Sequence, residues 1–537
     1  MLEIRMGIDA LDWIFWGLQG LIIVLAWRQG RRTATTEPRS VTWQYCAIAI
    51  LVAWTWRLVY CFVLASGGFW YLVPDDVARW LLSWGWAASP YLISWDGIWQ
   101  GGTFYVHGAA MTVLRDPLVA SKFVSAFYNL LPLVGIFVLA QGLYRNAWLS
   151  SVAVVAAAPW WLHILLGTGA MTEMPVTGFM LAGAGLLLLA LDGRTEDRSA
   201  GAALMGAAFC FLAGTAFHMV AWMMLVSFLL VFARRLLSTR KPAVRRRLPL
   251  FLGISLGYCI LWTLGCWVKF GSPLAFLAAY DANILKYGTS LSLTARLSAY
   301  PLAFLYDGWL ILPALAVSVI GAWSEGSERR RRERLVIGGV LVTLLVQASS
   351  AIVGNPSTGL PVRATVALVA ALFPIAVAGI VAAWPDGWAQ VRARKTKLVP
   401  LVAVLVLAVA WVAVNHSRVF QRVRSQGSLD PDAIAMGAWL REACAQPDGT
   451  GRVPNERIVH VWVETSSTYP DFSIQYLFGS PSRVRQHRSD EEVEKVLSAV
   501  GRDEWLVTDR PITQPGYEKI VTIGKYQVFS AKRKRGP

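Results

Sequence analysis

The sequence predicts a polytopic α-helical membrane protein of about twelve transmembrane helices, with a small α/β domain at its C-terminal end on the outer side. Three observations predict it. Of 537 residues, 55% are apolar and only 15% charged, with a mean hydropathy of +0.48; an ordinary soluble domain carries about 25% charged residues. The apolar residues fall in runs of bilayer length. The stretch from Asn415 to Pro537 lacks such runs and alternates instead between short helical and strand-like patterns. A formal charge of +17 would point to nucleic acid in a soluble chain, but its distribution speaks against that. The tail holds 18 basic and 15 acidic residues, whereas the 414 residues before it hold 32 and 18. The 26 tryptophans fit a membrane protein, because tryptophan collects at membrane–water interfaces.

Apolar segments follow one another over 7–27, 44–66, 121–143, 149–166, 172–191, 200–217, 218–233, 248–269, 305–323, 335–353, 364–384 and 398–415. Alternate loops are basic. Arg28 to Arg39, Arg145, Arg194 to Arg198, Arg234 to Arg247, Arg329 to Arg334 and Arg392 to Lys397 together hold 23 Lys or Arg. The intervening loops hold six: Arg79, Arg115, Lys269, Lys286, Arg296 and Arg363. The positive-inside rule assigns the basic set to the cytoplasm and both termini to the outside. The same parity divides 200–233 into two short helices. Segment 7–27 does not read as a cleaved signal peptide, because its positive charges follow the apolar run. It reads as an extra helix, spanning or interfacial, so that residues 1–43 form an N-terminal extension, 44–415 the membrane module and 416–537 the outer domain.

Three parts then project outward: loop 67–120, loop 270–304 and the tail. In the tail, DPDAIAMGAWLREAC reads as an amphipathic helix, and RIVHVWV, EWLVTDR and EKIVTIGKYQVFS as strands. Asp430 to Asp432 resembles a metal-binding DxD, but Pro431 opens a helix there and the reading is a cap. Five of six cysteines lie in membrane segments, so no disulfide framework or cysteine metal site is visible. The histidines lack the spacing of a zinc site.

Loop 67–120 is the most informative. VARWLLSWGW puts Trp80 and Trp84 one turn apart, the pattern of a helix lying in the interface. Asp75 and Asp76 stand at its start, and one helix cap does not require two carboxylates. Asp96 follows in the Trp-flanked stretch SWDGIW. Carboxylates at a membrane surface can act as a general base on an acceptor hydroxyl, or hold a divalent cation such as Mg or Mn, with Asp75, Asp76 and Asp96 as the ligands. Arg57 lies inside an apolar run, where a charge needs a partner; an acid such as Glu173, or the outer headgroups, would serve.

PDD-x-x-R in the first outer loop resembles the acidic motif of the GT-C glycosyltransferases, polytopic enzymes that move a sugar from a polyprenyl or dolichyl phosphate to an acceptor. Protein O-mannosyltransferases and the aminoarabinose transferase of lipid A belong to that group. AAAPWWLHILLGTGAMTEMP, with Glu173, is similar to their proline-bearing helix followed by a small-residue turn and an acid. FGSPLAFL is similar to a recurrent G-x-P-L-x-F-L, and LPVRATVAL to a late helix opened by an arginine, here Arg363. The chain departs from the pattern at WQGGTFYVHG, where W-x-P is usual. The resemblance covers most of 44–415 and implies an integral plasma-membrane enzyme, acting outside the cytoplasm on a polyprenyl-phosphate-linked sugar and an acceptor that is protein, lipid or glycan. It implies an aspartate base (Asp75 or Asp76, with Asp96 also a candidate) and inversion at the anomeric carbon. Candidates for binding the donor phosphate or substrate are Arg363, Arg79, Glu173, His218, Lys269, Lys286, Arg296 and His163. Arginine suits phosphate because its planar fork binds two oxygens at once. The rival reading is a transporter or lipid-carrier permease; these bind substrate near the bilayer midplane, whereas here the ionisable groups gather at one face.

Overall fold

The computed structural model describes residues 43–67, 69, 74–94, 97–114, 116–279, 292–316, 318, 328–353, 361–382, 398–425, 430–445, 457–464, 470–479, 483–487, 491–501 and 504–531. The helices of the membrane module are, in order, α1 Trp43–Ser66, α2 Pro74–Ala88, α3 Gly101–Leu114, α4 Pro117–Tyr128, α5 Leu131–Tyr144, α6 Ala147–Ala157, α7 Trp161–Leu166, α8 Glu173–Leu191, α9 Asp197–Thr215, α10 Met219–Ser238, α11 Pro242–Phe270, α12 Leu293–Gly308, α13 Glu328–Val353, α14 Pro361–Ala382 and α15 Leu398–Ser425. The starts have local causes. Asp116 caps α4, accepting from the backbone N–H of Leu118 and Val119 at 3.0 Å, with Pro117 next. Asn146 caps α6 through Leu149 N–H at 3.1 Å. Gly271, at φ +73°, ends α11.

The protein is a multi-pass membrane protein, but the expected count of twelve is not reached among the described residues. Eight helical stretches are long and apolar enough to cross a bilayer: 44–66, 117–144, 173–191, 219–238, 242–270, 293–316, 328–351 and 362–381. Segment 149–166 is broken between α6 and α7, where Pro159 has no N–H to continue the helix. The stretch 200–233 does divide into two helices, α9 and α10. Segment 7–27 lies outside the described residues.

The centre of the bundle is the crossing of α5 and α8. A Cβ on Gly135 would stand 2.5 Å from the carbonyl oxygen of Gly178, and one on Gly142 equally close to that of Gly185. The two backbones are in contact, the close approach that small residues permit between membrane helices. Arg57 corrects an expectation. Among the described residues it pairs with no acid, and it is completely buried: it donates to the carbonyls of Asn129 (3.1 Å), Ala157 (2.9 Å) and Ala158 (3.3 Å) and faces His163 Nδ1 at 2.8 Å. The break before α7 orphans the last carbonyls of α6, and the buried guanidinium satisfies them.

The C-terminal part contains α16 Pro431–Ala445, β1 Val459–Trp462, α17 Pro470–Phe478, β2 Val484–Gln486, α18 Val493–Ala499, β3 Trp505–Thr508, β4 Tyr517–Ile523 and β5 Tyr526–Ala531. The strand order is β2-β1-β3-β5-β4, with β2, β1 and β3 parallel and β5 and β4 joined antiparallel. Alternation sends Val459, Val461, Trp505, Val507, Tyr526 and Val528 to one face, against α16. It sends Trp462, Leu506 and Phe529 to the other, against α18. The domain therefore has three layers. Asp430 is the expected cap: its Oδ1 accepts from Asp432 and Ala433 N–H, and its Oδ2 meets Lys525 and Tyr526.

The domain is docked on the module. Tyr476 of α17 meets Trp80 of α2 edge to face, with ring centres 5.2 Å apart, and Arg441 of α16 pairs with Asp116. Trp80 is consequently fully buried. The face of α2 that the sequence assigns to the membrane interface is covered by the C-terminal domain instead.

Candidate active site

The acidic pair of PDD lies in the first turn of α2, where the helix dipole favours negative charge. Adjacent helical positions point about 100° apart, and the two carboxylates go to different neighbours. Asp75 Oδ2 accepts from Arg363 Nη1 at 2.8 Å, and Glu173 Oε1 accepts from Arg363 Nε at 2.7 Å. One guanidinium thus joins the starts of α2, α8 and α14, elements 190 and 288 residues apart in sequence. The side chains of Arg363 and Glu173 are 11% and 6% exposed, but that of Asp75 is 43% exposed. Burial alone would push the Asp75 carboxyl up; the charges of Arg363 and Arg79, with the hydrogen bond from Arg363, hold it below the usual range and ionised.

Asp76 is buried at 1% exposure and faces the turn between α7 and α8. A Cβ on Gly169 would lie 2.5–2.6 Å from all three atoms of the Asp76 carboxylate, so the group rests flat on the glycine backbone. A Cβ on Gly167 would likewise strike Asn129, whose Nδ2 donates to the Gly167 carbonyl at 2.8 Å. The small-residue turn GTGAMT is small because α2 and α4 press on it.

Arg79, one turn after Asp75, is buried and lies over the Trp99 ring at 5.1 Å, with Nη1 3.4 Å from Met171 Sδ. Its charge acts on both Asp75 and Glu173. His218 caps α10: its Nδ1 accepts from Val220 N–H at 3.1 Å. Desolvation pushes this imidazole down to about 4 despite Glu173 nearby, so it is neutral at pH 7 and carries its proton on Nε2. Asp75, Arg79, Glu173, His218 and Arg363 therefore form one cluster.

Other candidates lie elsewhere. Lys269 Nζ donates to the carbonyls of Ile93 and Ser94, both at 2.9 Å, and ties down loop 67–120. His163 faces Arg57 and packs against Trp160 with the rings tilted. Arg296 is in the first turn of α12. Asp96 and Lys286 lie outside the described residues. Among the described residues no three His, Cys, Asp or Glu side chains converge as a metal site, and Asp75 is taken up by Arg363.

Sequence reasoning missed two members. Lys122, on α4, donates to the Thr168 carbonyl, feels the charge of Asp76, and lies 5.6 Å from the Tyr476 ring centre. A lysine two residues inside an apolar run was the available signal. His107 is completely buried on α3, its ring 5.2 Å from that of Tyr128, and among the described residues neither of its nitrogens has a hydrogen-bond partner. Burial pushes it down to about 3, helped by the charges of Arg79 and Lys122.

No family model matches the sequence, and no characterised protein matches it by sequence alone. Solved structures do match. ArnT from Cupriavidus metallidurans, bound to undecaprenyl phosphate, superimposes with a TM-score of 0.57 at 14% identity, over 91% of this chain and 98% of that one. The same protein in its apo state gives 0.54 at 14% identity, over 88% and 97%. The archaeal oligosaccharyltransferase AglB from Archaeoglobus fulgidus gives 0.48 at 12% identity, over 87% and 69%. The match to ArnT runs over nearly the whole of both chains, so this chain shares the fold of ArnT.

Proposed function

We propose that the protein transfers a sugar from a polyprenyl-phosphate carrier to an acceptor hydroxyl on the extracytoplasmic face of the plasma membrane, with inversion at the anomeric carbon. The observation that carries this reading is the Arg363 clamp on Asp75 and Glu173, set beside Asp76 at the end of the bundle where the C-terminal domain docks. ArnT, the neighbour with the same fold, is described with undecaprenyl phosphate bound.

The chemistry follows from the groups present. Asp75 is ionised and reachable, so an entering hydroxyl meets it first; Asp76 is the buried member of the pair. As the acceptor oxygen forms its bond to the anomeric carbon, its proton passes to a carboxylate of the pair. The bond from that carbon to the phosphate oxygen breaks on the opposite face, and polyprenyl phosphate leaves with the electron pair. Arg79 and Arg363, both beside Asp75, are the cations that would stabilise the departing phosphate. The transporter reading has less support, because the buried Arg57 inside the bundle is saturated by three carbonyls.

The test uses the full chain in nanodiscs with radiolabelled polyprenyl-phosphate sugars and membrane-derived acceptors. Transfer by the wild type is expected, and its loss in Asp75→Asn or Asp76→Asn. If no polyprenyl-phosphate sugar is consumed, or if both variants keep full activity, the reading is wrong.

A further inference from the structure

The side of the acidic pair that faces away from Arg363 has a task of its own. Asp76 lies on Gly169, while Lys122 donates to the carbonyl of the preceding residue, Thr168. The carboxylate and the ammonium therefore stand against adjacent residues of one turn, close enough for the charge of Asp76 to act on Lys122. Taking an ionised carboxylate to 1% exposure is costly without a cation close by.

The ammonium is held from a third side by the C-terminal domain. Tyr476 of α17, itself 1% exposed, has its ring 5.6 Å from Lys122 Nζ and its edge on Trp80, one turn along α2 from Asp76. Trp80 Nε1 donates to the Pro117 carbonyl at 3.1 Å, and Arg441 pairs with Asp116, the cap of α4. The domain thus grips α2 and α4 at once, and the spacing of those helices sets the distance from Asp76 to Lys122.

We propose that Lys122 is a positioning residue for the Asp75/Asp76 pair, and that the C-terminal domain holds it in register through Tyr476. The C-terminal domain is then part of the catalytic apparatus and not only a cover for the acceptor. This inference rests on the reading of the site as a glycosyltransferase centre.

Two measurements decide it. In the transfer assay, Lys122→Met is expected to lower kcat about 100-fold, leave KM for the lipid donor within about threefold, and move the acid limb of the pH profile to higher pH. Lys122→Arg should restore most of the rate. Tyr476→Phe should resemble wild type, while Tyr476→Ala should fall in kcat in the same direction as Lys122→Met. A Lys122→Met enzyme with wild-type kcat and an unmoved limb overturns the proposal. The second measurement needs no activity: thermal unfolding of Asp76→Asn, Lys122→Met and the double variant. Non-additive shifts in Tm are expected, with the Asp76→Asn shift largely lost when Lys122 is absent; strict additivity overturns the pair. If wild type transfers no sugar but the shifts are non-additive, the functional reading fails and the Asp76–Lys122 coupling stands.

Discussion

Both ends of the membrane bundle gather charge, with opposite proportions. At one end two buried carboxylates are each shared by two guanidinium groups. Asp192, 2% exposed, receives Arg332 at 2.7 Å and also Arg145, while Lys241 donates to its main-chain carbonyl. Glu333, fully buried, receives Arg330 at 2.8 Å and Arg329 at 3.3 Å. At the other end one guanidinium, Arg363, is shared by two carboxylates, one of them open to solvent, with a third carboxylate beside them. Asp192 ties α13 to the ends of α5 and α8, while Glu333 and its two arginines share α13; closed off and outnumbered by cations, both carboxylates are structural. A reachable carboxylate held ionised by a cation it must share is available for chemistry. On the proposed reading the same residue types serve structure at one end and reactivity at the other, and substitutions should separate the two.

The largest separation is expected from the acids of the reactive end. Asp75→Asn keeps the shape and removes the charge; a lost general base costs about 10²–10⁴ in kcat. Because Asp75 is the exposed partner of its ion pair, its Tm should stay within a few degrees of wild type. Asp192→Asn should do the reverse. It leaves Arg332 and Arg145 short of a counter-charge in a buried place, a loss of about 3–5 kcal/mol in stability, with turnover per folded molecule unchanged. Equal loss of activity in both variants, normalised to folded protein, would erase the distinction between the ends.

Arg363→Met tests the clamp and should fail on both counts. Glu173 would be left buried without its partner, and Asp75 would lose the cation that keeps it ionised. A stability loss of about 3–5 kcal/mol is expected, together with an acid limb of the pH–rate profile displaced to higher pH. Arg363→Lys supplies charge without the fork that reaches two carboxylates, so it should recover only part of either effect. Full recovery by lysine would mean that the bridging geometry is unimportant.

The sequence was informative where a residue type is costly unless it has a purpose. Two adjacent aspartates before an amphipathic helix, an acid after a small-residue turn and an arginine opening a late helix each stand out, and the three share one cluster. Their pairing was not legible, because it depends on how segments far apart in sequence pack. The same gap explains Lys269 and His163: a polar side chain near a helix end looks free until the loop carbonyls or the arginine it serves are in place. Lys122 was hidden differently, inside an apolar run that reads as membrane. Among the described residues the helix count stops short of twelve where polarity is intermediate, as in α9, and where proline cuts a segment too short to span, as between α6 and α7.

The smallest effect comes from His107, which is buried like the structural charges yet feels Arg79 and Lys122 of the candidate site. Its imidazole is pushed down from the ordinary 6.5 to about 3 by burial and by Arg79 and Lys122. Between those pH values the unfolded chain binds a proton that the folded protein refuses, so folding stability falls as pH drops below 6.5. The slope contributed by one such group is at most about 1.4 kcal/mol per pH unit. His218, pushed down to about 4, acts with the same sign. Thermal unfolding in detergent between pH 7 and 5 should therefore show a falling Tm for wild type and a shallower fall for His107→Gln, which cannot take up the proton. A His107→Gln protein that loses stability as steeply as wild type would mean that acid acts through other groups, with His218 the first to replace.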